Sequence, residues 1–183
     1  MTTEQSPTEF LMQGSSVGAQ FPKVGHSYSG TIVQIGKSRQ QTDLSTKKPK
    51  FFDDGVTPRM QVPVTLATNA RGKFVREDNS SPWELVDIPD DDGVRTLWVA
   101  ADMQRAIRDA VVQARKDHGL SPEQLKGPEV GGHLTVTRTK SKAAKKAGWS
   151  GQHTFEAVYV PKTANAGADS IMDDRDPFNQ PGE

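Results

Sequence analysis

The sequence contains no cysteine, and this single absence removes disulfides, thiolate zinc ligands, thiol nucleophiles and cysteine-held clusters. Apolar residues are also scarce. Only 33% of the chain is hydrophobic and 7% aromatic against 25% charged, with a mean hydropathy of -0.66, so the apolar residues must be gathered in one core with long polar stretches outside it. No apolar run approaches the roughly 20 residues that span a bilayer. The opening MTTEQSPTEFLMQGSS lacks the basic start and continuous apolar stretch of a secretory signal, and a cytosolic protein is the simplest reading. Catalytic signatures are missing too. His26, His118, His133 and His153 are scattered without paired metal-ligand spacing, and there is no GxxxxGK[ST]. Asp90, Asp91 and Asp92 before Gly93 read as a turn. The expectation is a non-enzymatic protein with no metal and no cofactor.

What is present is a division of charge. The 183 residues carry 23 basic and 23 acidic side chains, a net charge of zero. Residues 163–183 hold five acids (Asp169, Asp173, Asp174, Asp176, Glu183) against Arg175 alone, which leaves residues 1–162 with a net +4. A basic body with an acidic tail is the pattern of a folded part that touches a polyanion while the tail does something else, or of a solvated surface with a solubilising end. Residues 1–20 are polar and aperiodic and are expected to form a loose arm. The body is expected over 21–162, and 163–183 reads as a linker followed by a short motif.

Within the body the segment HSYSGTIVQIGKSRQ predicts a strand of about 10 residues, with Gly30 and Gly36 marking bends or bulges. Met60, Val62, Val64 and Leu66 alternate with Gln61, Pro63, Thr65 and Ala67, a period-2 strand with an edge or bulge at Pro63. A hairpin around Lys73 to Arg76 and the short strand VRTLWVA follow. Met103, Ile107, Ala110, Val111 and Ala114 form one apolar stripe of a helix. Asp102 or a residue just before it is the candidate cap, and Gly119 the left-handed stop. GGHLTVTRT and HTFEAVYVP are the last two strands.

Three strands, a helix and two strands is the order of the OB-fold, a five-stranded Greek-key barrel with a helix between strands three and four. In that fold the strand face and the loops joining strands one to two and four to five bind oligonucleotides or oligosaccharides. The two most basic connections fall on those loops. Residues 37–50 hold Lys37, Arg39, Lys47, Lys48 and Lys50 against Asp43, with Arg59 shortly after, and residues 138–146 hold Arg138, Lys140, Lys142, Lys145 and Lys146 with no acid. Phe51 and Phe52 end the first and Trp149 follows the second. Single-stranded nucleic acid needs both parts, cations along the phosphates and flat faces under unstacked bases. Phe51 and Phe52 either stack on bases or plug the barrel end. Trp149 either stacks or folds back on its hairpin. Trp98, alternating with Leu97 and Val99, is either a platform on the binding face or packs under the helix.

The openings KVGHSYSGTIVQIG and EVGGHLTV resemble OB-fold proteins, and IMDDRDPF resembles the acidic end of bacterial and phage single-stranded DNA-binding proteins. The resemblance implies sequence-nonspecific binding and protection of single-stranded DNA in replication, recombination and repair. It also implies docking of partner enzymes on Asp173, Asp174, Asp176, Pro177 and Phe178. In the family the motif ends at its Phe, whereas here the sequence continues through Asn179 to Glu183. A phage-encoded protein acting in a bacterial cytoplasm fits the small size. The alternatives are an OB-type assembly or structural component of a phage that binds no nucleic acid, and an RNA-binding member of the same fold. The groove requires that the barrel bring the two basic stretches beside each other.

Overall fold

In the computed structural model, which describes residues 17–43, 46–77, 81–142 and 152–162, the alternations of the sequence become strands. Along β2 (Ser27–Ile35), Tyr28, Gly30 and Ile32 are buried in turn with exposed Ser27, Ser29 and Thr31, the signature of one face against a core. Short β1 (Val17–Gly18) precedes it, inside the segment expected to be a loose arm. The remaining strands are β3 (Arg39–Gln40), β4 (Met60–Thr68), β5 (Lys73–Val75), β6 (Glu84–Val86), β7 (Val94–Val99), β8 (His133–Lys142) and β9 (Gln152–Val160). Helix α1 (Ala101–Asp117) lies between β7 and β8.

The main sheet runs β1-β7-β4-β2-β8-β9, with β3 added to β4, and β5 and β6 form a separate hairpin. Every pairing is antiparallel except β1 on β7, so the sheet is mixed. β2 is the corner of the structure. Its first half, Ser27 to Thr31, pairs with β8, and its second half, Gly30 to Ile35, pairs with β4. Gly30 sits in the overlap, where a Cβ would come within 2.1 Å of the Ala67 carbonyl oxygen. No side chain fits there. Val33 is the extra residue of a bulge, between Ile32 opposite Leu66 and Gln34 opposite Thr65.

The expected barrel is not closed. Closure would pair β7 with β9, but the outer edge of β7 is taken by β1, with Val17 opposite Arg95 and Gly18 opposite Thr96. The Ala19 amide continues this pairing to the Thr96 carbonyl at 2.9 Å. The β7 edge is thereby satisfied by the amino-terminal segment, and α1 packs against β9.

The expected apolar stripe of α1 is buried throughout, from Met103 to Ala114, against Ile32, Val64, Leu66, Leu97, Leu134 and Val136 of the sheet. The helix start differs from expectation. Its N-cap is Ala100, in extended conformation and without a side-chain cap, while Asp102 lies in the first turn and pairs with Arg105 at 3.5 Å. There the carboxylate favours the dipole without capping. Gly119 takes the left-handed conformation at φ 61°, as the stop requires. No helix among the described residues is long and apolar enough to cross a membrane.

Beside buried Thr65 and Thr96, a charged side chain enters the core. Arg95, 1% exposed, forms a two-pronged ion pair with Asp91, at 2.9 Å to Oδ1 and 2.6 Å to Oδ2. Its Nη2 also donates to the Gly72 carbonyl at 2.8 Å, while Asp91 accepts from the amides of Gly72 and Gly93 at 2.6 and 2.9 Å. Asp91 therefore does more than form the turn read from the sequence. It locks the root of the β5–β6 hairpin to the start of β7, and the guanidinium and amide bonds hold its carboxyl far below the usual carboxylate range.

Candidate nucleic-acid interface

β3 prolongs β2 along the same edge of β4. Ile35 lies opposite Val64, the chain steps outward at Gly36, and Arg39 and Gln40 then pair with Gln61 and Met60. Pro63 sits at the step, with its carbonyl accepting from the Gly36 amide at 2.8 Å. Its ring occupies the place where a Gly36 Cβ would be, 2.5 Å from Cγ. Past Gln40 the chain continues as a folded arm rather than an open loop. Thr42 bridges Pro49 and Phe51 bridges Pro58, and the Arg59 amide donates to the Lys50 carbonyl at 2.9 Å. Asp54 closes the tip by accepting from the amides of Val56 and Thr57 at 3.0 and 2.9 Å and from the Thr57 hydroxyl, which lowers its carboxyl below the ordinary value.

This arm carries the first basic stretch in a defined geometry. Lys37, Arg39, Lys47, Lys48 and Lys50 are all exposed. Lys50 reaches Asp43 and Arg59 reaches Asp53, each at 3.7 Å, and surface pairs of this length contribute little. Phe51 and Phe52 are 41% and 49% exposed, so neither plugs the end of the sheet. The Arg59 guanidinium lies 5.3 Å from the centre of the Phe52 ring. Trp98 also faces outward. It stands opposite Pro63 on the side of β7 away from Leu97 and Val99, is 40% exposed, and has the Arg39 guanidinium 4.1 Å over its ring. Two cation–aromatic pairs thus share one end of the molecule, flanked by lysines.

The second basic stretch is elsewhere. β8 is antiparallel to β2, with Thr137 opposite Ser27, so Arg138, Lys140 and Lys142 run past the beginning of β2 while the arm leaves its far end. Over the nine residues of β2 the separation is about 26 Å. The two stretches are therefore not beside each other, because the antiparallel register of β2 and β8 sends their loops to opposite ends. Arg138 is committed to structure. It donates to the Phe21 carbonyl at 2.5 Å and to the Ser141 hydroxyl, its Nε is buried without a partner, and burial lowers its pKa. Lys140 is exposed. Lys145, Lys146 and Trp149, and the tail residues Asp173, Asp174, Asp176, Pro177 and Phe178, lie outside the described residues.

The sequence reading singled out no aromatic in the β5–β6 hairpin, yet Arg76 lies 4.6 Å over the ring of half-buried Trp83 there. The hairpin packs against the beginning of β2, with Phe74 5.0 Å edge-on to His26, which in turn meets Tyr28 at 5.1 Å. Burial is the main cause lowering the pKa of His26, aided by Lys23, and of His153, aided by Arg138 and Arg76. Elsewhere, Ser29 bonds His133 Nε2 at 3.0 Å and Thr135 at 2.7 Å in an exposed polar row. Among the described residues no group of three or more acids and histidines is placed to hold a metal. No family model, curated protein or solved structure matches the chain.

Proposed function

We propose that the chain binds single-stranded DNA with little sequence preference, on the face bearing Trp98, Arg39, Phe52 and Arg59, and protects exposed strands in replication and recombination. The observation that carries this reading is the pair of exposed rings, Phe52 on the arm rich in lysine and Trp98 on β7 beside it, each with a guanidinium over it. A base reaches Trp98 either by displacing Arg39, which then meets the adjoining phosphate, or by stacking on the outer plane of the guanidinium itself. Both routes use ring and charge together. The fold supports the same reading. Its five long strands run in the order third, second, first, fourth, fifth along the sheet, with the helix between the third and fourth, which is the order of an OB-type barrel opened at its last seam.

The separation of the basic stretches sets the length of the ligand. About 26 Å corresponds to roughly 8 nucleotides at about 3.4 Å per stacked nucleotide, within the roughly 4–16 nucleotides that one such domain covers. The acidic tail is then a recruiting segment for replication or recombination enzymes.

The test is a titration of the full chain with fluorescently labelled oligothymidine at about 50 and 200 mM salt. With about four phosphates neutralised, affinity falls about 50-fold between the two, and tryptophan fluorescence is quenched. Equal affinity for oligouridine redirects the reading to RNA, and absence of binding at low salt leaves the assembly role instead.

A further inference from the structure

We infer that Trp83 and Arg76 on the β5–β6 hairpin form a second stacking station for the same strand, at the end of the sheet opposite Trp98 and Arg39. This rests on the single-stranded DNA reading and adds to it a residue pair and a path. The geometry is a chain of contacts. Phe74 of β5 packs edge-on against His26 at 5.0 Å, the His26 carbonyl accepts from the Arg138 amide at 3.0 Å, and β8 from Arg138 onward pairs with the start of β9, where Ser141 faces His153. The hairpin therefore stands at the root of the second basic stretch, with exposed Lys140 beside that root.

Each end of the sheet then offers the same combination, an indole under a guanidinium, at 4.1 Å for Trp98 and 4.6 Å for Trp83. The ends differ in charge. The arm carries six basic residues against three acids between Lys37 and Arg59, whereas Glu77 and Glu84 belong to the hairpin that holds Trp83. At the second station the indole supplies the stacking face and the neighbouring basic stretch of β8, not the hairpin itself, supplies the cations. The buried Arg95–Asp91 pair fixes the hairpin to β7 at Gly72, so the second station is held by the same scaffold as the first.

The experiment uses the full chain with the substitutions W98F and W149F, which leave Trp83 as the sole tryptophan. Labelled dT15 is expected to quench its fluorescence with the midpoint seen by anisotropy. In the otherwise native chain, Trp83→Ala is expected to weaken dT15 binding by about 5- to 100-fold while leaving dT5 binding and the salt slope nearly unchanged. Trp83 fluorescence unmoved at saturating dT15 overturns the inference even if Trp83→Ala folds poorly, and so does a well-folded Trp83→Ala chain that binds dT15 as the native chain does. Failure of the native chain to bind dT15 at low salt defeats the underlying reading itself, a result distinct from both.

Discussion

Arg39 lies 4.1 Å over the ring of Trp98, although the two residues belong to different strands joined only through β4. Pro63 makes the meeting possible. It stands opposite Trp98 on β4 and at the point where β2 gives way to β3, so the outward step of the chain delivers Arg39 to the exposed indole. Trp98→Ala is expected to weaken oligothymidine binding by about 1–3 kcal/mol, the usual contribution of one stacked base. The melting temperature should move little, since the ring lies on the solvent side. Fluorescence anisotropy with labelled dT15 and a thermal melt read the two effects separately, and a large loss of stability with unchanged affinity would make Trp98 a packing residue.

Gly30 should be intolerant of substitution. β2 serves β8 on one edge and β4 on the other at this residue, and a Cβ would meet the Ala67 carbonyl oxygen at 2.1 Å. The obstacle is backbone, which cannot rotate aside. Gly30→Ala is expected to be more harmful than its single added methyl suggests, by contrast with Ile32→Ala, which empties a fully buried site and should cost roughly 2–5 kcal/mol. Urea unfolding of the two variants beside the native chain provides the comparison.

The Asp91–Arg95 pair predicts a particular acid sensitivity. The Asp91 carboxyl is held far below its ordinary range, so its contribution to stability is complete above about pH 4 and is lost as the pH falls toward its folded value. Asp91→Asn should lower the melting temperature at pH 7, because it leaves the Arg95 guanidinium buried without a charge partner. It should also flatten the fall in melting temperature below pH 4. The double variant Asp91→Asn with Arg95→Met should recover part of the loss at pH 7, since removing both charges is less harmful than removing one. Melting curves from pH 2 to 7 decide this, and a double variant no better than the single one would contradict it.

The strands and helix were legible because burial on one face imposes a period, two along β2 and between three and four along α1. In β4, by contrast, Val64, Thr65 and Leu66 are buried in succession and Met60 is exposed, against the alternation read from the sequence. Relations between distant segments were not legible. β1 is two residues long and has no pattern to read, yet it occupies the edge that a closed barrel would use. Asp91 reads as part of a turn and Arg95 as a strand residue, and nothing in the sequence pairs them before the fold buries both side chains. The basic arm was found by composition alone, whereas Trp83 was missed because its hairpin strands of three residues are too short to show alternation. Nor does composition show where a loop points. The opposite placement of the two basic stretches follows only from the register of β2 on β8.

The acidic tail and the second basic stretch should act in opposite directions on the same equilibrium. Removing residues 163–183 takes away a net charge of -4 that competes with DNA for cationic surface, so oligothymidine affinity should stay equal or rise. Replacing Lys142, Lys145 and Lys146 by Ala removes three cations at the far end of the path, and if each meets a phosphate the slope of log affinity against log salt should flatten by about 2. The two effects are separable by ligand length. A strand too short to run the length of β2 engages one station only, so for dT5 the lysine substitutions should leave the slope set by the arm, while for dT15 they should reduce it. A slope reduced equally for both lengths would mean that the two basic stretches lie on one short site. A slope unchanged for both would remove the second stretch from the interface and confine binding to the arm around Trp98.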